Sequence, residues 1–169
     1  MEVRTQLKKA FATFIMGMLM ATGLFSQKPA EVIPSFSFVK LNKSTFTDKQ
    51  VSTGKMVFFI FFDSDCEHCQ LAMQYFNTHY KELEKTEIYL VTLDDKKKIF
   101  SFLAQYASNL KDRKNITLLR DTNNQFVKIF GSRKYPSVFL YGKDRKLVLY
   151  EDNEDTMFRF LKYVKDAKL

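Results

Sequence analysis

The sequence is poor in cysteine and histidine, the sulfur and nitrogen ligands of structural zinc sites. Among 169 residues it has two cysteines, Cys66 and Cys69, and two histidines, His68 and His79. A zinc site needs about four ligands, so this chain would have to use nearly all of them at one point. His79 follows Cys69 by ten residues, which is about 15 Å along a helix, too far to share a metal with it. We therefore expect no metal site.

The chain also lacks a basic stripe interleaved with aromatic residues, although its formal net charge is +8. The three lysines 96–98 follow Asp94 and Asp95, an order typical of a solvated helix start. Nucleic-acid binding is therefore not expected. There is no internal repeat, and the length suits one domain with a sizeable core. Eighteen phenylalanines and no tryptophan predict that phenylalanine dominates this core.

Residues 1–26 have the pattern of an export signal. A basic start precedes residues 10–25, which are apolar or small, long enough for a signal and short for a membrane span. Cleavage is expected after Gly23 or, better, after Ser26. Without cleavage, residues 10–25 would remain as a membrane tether; no cysteine nearby offers a lipid attachment point. Either way we expect a periplasmic or cell-envelope domain, whose cysteines meet oxidising conditions.

Strands and helices are predicted to alternate over residues 35–169, after an extended linker at residues 27–34. The unbroken run MVFFIFF at residues 56–62 indicates a strand buried on both faces, as in parallel sheets covered by helices. The last helix, over residues 155–164, is expected to bury Phe158, Leu161 and Val164. The other predicted strands are 35–40, 87–93, 116–120, 137–141 and 146–150, the last two forming a hairpin; the other helices follow residue 65 and cover residues 99–110 and 126–130. The fold class is α/β.

The sequence Cys66-Glu67-His68-Cys69 lies just past the buried strand and opens a helix. A helix N-terminus carries partial positive charge and free N–H groups, which favour a thiolate over a thiol. Cys66, nearer the helix tip, should be the more exposed sulfur and Cys69 the more buried one. This arrangement suits a redox pair in which Cys66 attacks a partner and Cys69 resolves the mixed disulfide.

With this motif at this junction, the chain resembles the thioredoxin superfamily, and within it the exported TlpA-like thiol–disulfide oxidoreductases. Tyr135-Pro136-Ser137, directly before the hairpin, carries the second part of the resemblance. The resemblance implies a thioredoxin-like fold with a central mixed sheet flanked by helices, an extra β-α unit before Pro136, and a C-terminal hairpin and helix. It also implies that Pro136 is cis and faces the cysteines, that Tyr135 helps to dock substrate, and that Cys66 and Cys69 form a reversible disulfide.

Two positions depart from the pattern of thioredoxins. Asp65 stands where they carry tryptophan, and Ile60 stands where they keep a buried acid beneath the pair. The proton of the buried cysteine must therefore be handled elsewhere, with Glu67 and solvent as candidates. Inside the motif, His68 favours a Cys66 thiolate and so the reduced form, whereas Glu67 and the adjoining Asp65 disfavour the thiolate by like charge. Glu67 and His68 are expected to tune the pair.

Three other functions are compatible with parts of this pattern. A peroxiredoxin-type peroxidase resembles this architecture but carries a Pro-x-x-x-Thr-x-x-Cys loop, and residues 59–65 provide neither the proline nor the threonine. A structural disulfide is the second alternative, although closing so short a loop constrains the unfolded chain little. A binding module with an inactive motif is the third. Neither would carry out disulfide exchange. We therefore expect a monomeric oxidoreductase that needs no cofactor and exchanges electrons with protein thiols and an upstream redox partner.

Overall fold

The structure, a computed structural model, describes residues 28–167. The export signal and tether predicted for residues 1–26 lie outside these residues. Two 3₁₀ turns, Asp48–Gln50 and Glu154–Thr156, accompany the main elements. The strands are β1 Ser37–Lys40, β2 Thr45–Thr47, β3 Val57–Phe61, β4 Glu87–Thr92, β5 Ile116–Arg120, β6 Ser137–Tyr141 and β7 Leu147–Glu151; the helices are α1 Glu67–Thr78, α2 Tyr80–Leu83, α3 Lys96–Tyr106, α4 Phe126–Phe130 and α5 Phe158–Asp166.

All seven strands form one mixed sheet in the order β2-β1-β5-β4-β3-β6-β7. The central strands β3, β4 and β5 are parallel, whereas β1 pairs with β5 and β6 pairs with β3 in the antiparallel sense. Two β-α units, β4-α3 and β5-α4, separate Cys69 from Pro136. The mixed sheet, the extra unit and the final β6–β7 hairpin and helix are thus confirmed.

A hydrophobic core covers each face of the sheet. Successive side chains of β3 point to opposite faces and so contribute to both cores. Phe58 and Ile60 point to the core beneath α1, α3 and α5. Phe59 and Phe61 point to the opposite core, which α4 and the N-terminal segment cover. All five residues of β3 are buried, as the unbroken apolar run predicts. The second core is rich in phenylalanine, with the Phe61 and Phe126 rings stacked 4.4 Å apart.

The prediction that Phe158 is buried is wrong, because its side chain is 59% exposed. A 3₁₀ turn, capped by Asn153, precedes α5, so this helix starts later than residue 155. The later start sets the helix in a different phase. Core contacts then fall at helical spacing on Met157, Phe160, Leu161 and Val164. Leu161 and Val164 are buried as predicted, and Phe160 takes the place assigned to Phe158.

The helix that follows the cysteines is also shorter than its apolar spacing indicates. It ends at Thr78, and a second short helix begins at Tyr80. His79 between them has φ −102° and ψ 22°, outside helical values. Its ring nitrogen donates to the carbonyl oxygen of Tyr75 at 2.9 Å, and its ring stacks on that of Tyr75. The side chain of His79 therefore stabilises a helix end.

The extended segment at residues 28–34 lies against the domain. The N–H of Ala30 donates to the carbonyl of Phe130 at 2.8 Å, and the Tyr141 hydroxyl donates to the carbonyl of Ala30 at 3.0 Å. Val32 forms a β-bridge with Lys146, and Ile33 is buried. The segment therefore covers part of the second core and of the β7 edge.

Gly131 allows the N-terminal segment to approach. Its φ is +70°, and a Cβ there would lie 1.9 Å from the carbonyl oxygen of Lys28. Gly54 has a similar φ of +75° but nothing within 4 Å of such a Cβ. We expect Gly54→Ala to cost about 1 kcal/mol of unfolding free energy, the ordinary penalty of a left-handed alanine.

Gly131→Ala should cost at least about 1 kcal/mol more than Gly54→Ala, since a backbone clash is added. Urea unfolding measures both costs, and limited proteolysis should show faster cleavage within residues 28–34 only in Gly131→Ala. Equal stability losses and equal cleavage would mean that the segment does not dock on Gly131.

Candidate active site

The cysteine pair lies at the carboxyl end of β3, where the chain leaves the sheet and enters α1. Cys66 is the N-cap residue of α1, and its carbonyl accepts the N–H groups of Cys69 and Gln70 at 3.1 Å each. Cys66 is partly exposed, whereas Cys69 is 1% exposed. The predicted difference in exposure is therefore present. Its cause is the helix: Cys66 is at the tip, and Cys69 is one turn further, on the core side of α1.

The two sulfurs lie close together as free thiols. Burial raises the pKa of Cys69 far above the ordinary thiol value; the N–H of Asp63, which donates to the Cys69 sulfur, partly offsets this, and the hydrogen bond from the Cys69 thiol to Cys66 raises it further. Cys69 is therefore protonated at neutral pH. A buried protonated thiol next to a partly exposed one is the arrangement that stepwise disulfide exchange requires.

The Tyr135–Pro136 peptide bond is cis, as the resemblance implies. Ser137, the next residue, pairs with Phe61 at the end of β3, so this loop lies at the same edge of the sheet as the cysteines. The Tyr135 ring lies 4.7 Å from the ring of Phe61. Burial, together with the charges of Asp63 and Cys69, raises the pKa of Tyr135 to about 12. These contributions place the Tyr135 hydroxyl in the electrostatic field of the pair.

The two residues between the cysteines have different surroundings. Glu67 is exposed in the first turn of α1. His68 makes a contact of 2.5 Å through Nδ1 with Oε1 of Glu154, which lies in the turn before α5. Partial burial would raise the pKa of Glu154, but hydrogen bonds from its own N–H and from His68 outweigh it and lower that pKa. No local pattern in the sequence points to Glu154, because 86 residues separate it from His68.

Asp94, just after β4, holds the loop before the cysteines. Its Oδ2 accepts the backbone N–H of Ser64 at 2.9 Å, the Ser64 hydroxyl at 2.6 Å and the Thr92 hydroxyl at 3.1 Å. Next to it, Asp65 pairs with Lys98 of α3 at 2.6 Å. The lysines predicted to be a solvated helix start thus include one that contacts the cysteine loop. Parallel strands end at the same edge, which is what brings these distant residues together.

Within residues 28–167, no group of three or more His, Cys, Asp or Glu side chains is arranged to hold a metal ion. Among the helices of those residues, none combines the length and the apolar character that crossing a bilayer requires.

The difference between the sulfurs predicts a difference in alkylation. At pH 7, iodoacetamide should modify Cys66 first. Cys69 should react more than about tenfold more slowly, because each unit by which a thiol pKa is raised lowers its thiolate fraction tenfold. The Cys69 rate should rise with pH toward its raised pKa. Peptide mass spectrometry after timed quenching measures both rates. Equal rates at the two cysteines in the folded protein would contradict the burial of Cys69.

Comparison with known proteins agrees with this architecture. The thiol-disulfide oxidoreductase ResA of Bacillus thuringiensis subsp. konkukian is 27% identical over 115 residues, which cover 66% of this chain and 63% of ResA. The chain thus spans less than two thirds of that relative's length.

Two solved structures share the fold. A Chlorobium tepidum protein assigned as a thiol:disulfide interchange protein, DsbE, matches with a TM-score of 0.64 and 18% identity, over 82% of this chain and 99% of its own. A thiol peroxidase of Chromobacterium violaceum matches with a TM-score of 0.64 and 14% identity, over 84% and 88%. At such identities these likenesses show the fold alone, and it is thioredoxin-like.

The sequence profile of the AhpC/TSA family matches residues 29–150, most of the chain and all of the region that holds the cysteine pair and the cis-proline loop. The chain therefore belongs to the AhpC/TSA family.

Proposed function

We propose that the protein is an exported thiol–disulfide oxidoreductase that exchanges disulfides with protein cysteines through Cys66 and Cys69. The observation that carries this proposal is the pair itself, a partly exposed Cys66 at a helix N-terminus with the buried Cys69 thiol donating to it. The similarity to ResA, whose name states this activity, supports it.

The reaction follows from this arrangement. The Cys66 thiolate attacks one sulfur of a substrate disulfide, forms a mixed disulfide and releases the first substrate thiolate. Cys69 then attacks the Cys66 sulfur, and the bond between Cys66 and the substrate breaks, with its electron pair leaving on the second substrate thiolate. The substrate has gained two electrons, and Cys66 and Cys69 are joined. After this reduction, an upstream dithiol partner reduces the Cys66–Cys69 disulfide and restores the starting state. The same steps in reverse oxidise a substrate dithiol, and an upstream disulfide partner then reoxidises the pair.

The residues around the pair have supporting roles in this proposal. Pro136 and the backbone of Tyr135 form the docking edge beside Cys66. Glu67 and His68 set the balance between thiolate and disulfide, with Glu154 orienting the His68 ring. No bound cofactor is needed, since electrons pass between sulfur atoms, and a monomer suffices. Export is supported by the pattern of residues 1–26, and fractionation of cells that make the full chain tests it.

Disulfide exchange with a folded protein tests the proposal. Purified protein should accelerate the reduction of insulin by dithiothreitol, or its oxidised form should introduce disulfides into a reduced unfolded protein. A parallel sample with hydrogen peroxide and dithiothreitol measures peroxidase activity. Peroxide consumption without disulfide exchange would favour a peroxidase. No activity in any of the three assays would favour the binding module.

A further inference from the structure

The buried resolving cysteine raises the question of where its proton goes. Cys69 is 1% exposed, and Ile60 in the strand beneath it is equally buried and apolar. Cys69 becomes a nucleophile only as a thiolate, so a base must take its proton during the second half of exchange. Besides Asp63, several carboxylates lie around the pair or at the neighbouring strand ends. Asp65 pairs with Lys98 and Asp95 caps α3. The other four are those of Glu67, Asp94, Asp121 and Glu154.

Glu67 is exposed, and the other three carboxylates accept hydrogen bonds from groups other than the cysteines. Glu67 points to solvent from the first turn of α1. The Oδ2 atom of Asp94 accepts three hydrogen bonds from Ser64 and Thr92. Asp121 accepts the N–H of Phe126 through Oδ2 at 2.7 Å, and its buried Oδ1 has no hydrogen-bond partner among the described residues. It lies at the start of α4 beside the second core, however, whereas Cys69 belongs to the first. Glu154 binds His68.

Asp63 differs from the other four because its backbone contacts both cysteines. Its N–H donates to the Cys69 sulfur, and its carbonyl accepts the N–H of Cys66 at 3.3 Å. Its Oδ1 accepts the N–H of Asp65 at 2.8 Å, which fixes the carboxylate over the loop. Within residues 28–167, no donor is hydrogen-bonded to its Oδ2. Asp63 is half-buried, and its charge acts on both Cys69 and Tyr135.

We infer that the Asp63 carboxylate is the proton acceptor for Cys69 in the resolving step, a role that rests on the proposed function. The Cys69 thiol gives its proton to Oδ2 of Asp63. Its sulfur then bonds to Cys66, and the bond between Cys66 and the substrate sulfur breaks. The substrate leaves as a thiolate and takes up a proton, either from the Asp63 carboxylic acid or from water. In the reverse direction Asp63 returns the proton to Cys69.

The charged and titratable groups that face this site come from several elements. Cys66 and Asp63 act on Cys69, and Tyr135 faces both from the cis-proline loop. The ammonium of Lys98 on α3 interacts with the Asp63 carboxylate, and also with Asp94 and Asp65. Because Asp63 is one of these groups, its substitution should shift the pKa of Cys69 while the other groups stay unchanged.

Reaction with the disulfide reagent DTNB separates the two steps. Attack by Cys66 releases one thionitrobenzoate and leaves a mixed disulfide, and attack by Cys69 then releases the second. In Asp63→Asn the first release should keep its rate, and the second should slow about 10²-fold, the usual loss for a removed general base. The Asn side chain can still accept the N–H of Asp65. Asp65→Asn, an equal change two residues away, is the matched control and should leave the second release unchanged.

A second readout distinguishes proton transfer from a loosened loop. In a Cys66→Ser background, Asp63→Asn should lower the pKa of Cys69, because a neighbouring negative charge is removed. Asp63→Asn should therefore increase the fraction of Cys69 that is thiolate, and yet, where Cys66 is present, slow the release of the second thionitrobenzoate. Asp63→Glu should recover part of the second release.

Other outcomes would overturn either the role of Asp63 or the proposed function. If Asp63→Asn releases the second thionitrobenzoate as fast as Asp65→Asn, the inference is wrong while the proposed function stands. If the unchanged protein releases only one, the proposed function itself fails. If Asp63→Asn unfolds, the inference is judged by Asp63→Glu: an unchanged first release with a partly slowed second release supports it, and equal slowing of both releases overturns it.

Discussion

Replacing Cys66 with serine is expected to abolish disulfide exchange. The loss should be about 10³-fold or more, the order seen when an enzyme loses its nucleophile. Serine keeps the size and the N-cap position of residue 66, but its hydroxyl does not attack disulfides at neutral pH. Insulin reduction and DTNB release both measure the effect. Exchange at more than a tenth of the original rate in Cys66→Ser would show that Cys66 is not the nucleophile.

Replacing Cys69 has a different expected outcome, which makes the pair of variants informative. Cys69→Ala should still react once through Cys66 but should stop at the mixed disulfide, because no second thiol displaces the substrate. Mass spectrometry should then find the substrate attached to Cys66. Alanine is preferred to serine here, since a hydroxyl buried at the position of Cys69 without a partner would destabilise the fold. Complete turnover by Cys69→Ala would exclude Cys69 as the resolving thiol.

Replacing Phe160 with alanine should cause a large loss of stability at a position away from the cysteine pair. Phe160 is fully buried, with its ring 5.6 Å from that of Phe58 and 6.1 Å from that of Phe76. Phe160→Ala would leave a cavity between α5, α1 and the sheet, at a cost of about 3–5 kcal/mol of unfolding free energy. Urea unfolding at constant pH measures this cost.

Phe158→Ala is the matched control on the same helix. Because Phe158 is 59% exposed, its replacement should change the unfolding free energy by about 0.5 kcal/mol or less. The two variants remove the same atoms and differ only in the direction in which the side chain points. A larger loss in Phe158→Ala than in Phe160→Ala would mean that α5 packs with Phe158 inward, as predicted from the sequence. Equal losses would contradict the different burial of the two side chains.

This helix shows where prediction from the sequence ends. The strand at Val57–Phe61 and the cysteine motif that follows it were predictable, because the apolar run and the polar break are local signals. The phase of α5 was not, since it depends on the 3₁₀ turn capped by Asn153. The end of α1 at Thr78, next to His79, was equally hard to predict, because apolar residues continue past it at helical spacing.

The site divides in the same way. The cysteines, Tyr135 and Pro136 were predictable from motifs and a resemblance. Their partners were not. Glu154, Asp94 and Lys98 reach the cysteine loop from other elements, so only the parallel order of β3 and β4 and the return of α5 bring them there. The role inferred for Asp63 needed its contacts, because one acid among several near the motif carries no signal of its own.

The measurement that tests the central claim most directly is a redox titration of the folded protein in glutathione and dithiothreitol buffers, with the thiols counted by mass spectrometry. We expect Cys66 and Cys69 to interconvert reversibly as a two-electron couple, without unfolding, at a potential between about −270 mV, the thioredoxin value, and about −120 mV, the DsbA value. A value near the first end would indicate a reductant, and one near the second a source of disulfides. A pair that forms no disulfide, or that is reduced only when the protein unfolds, would contradict a redox role for these cysteines.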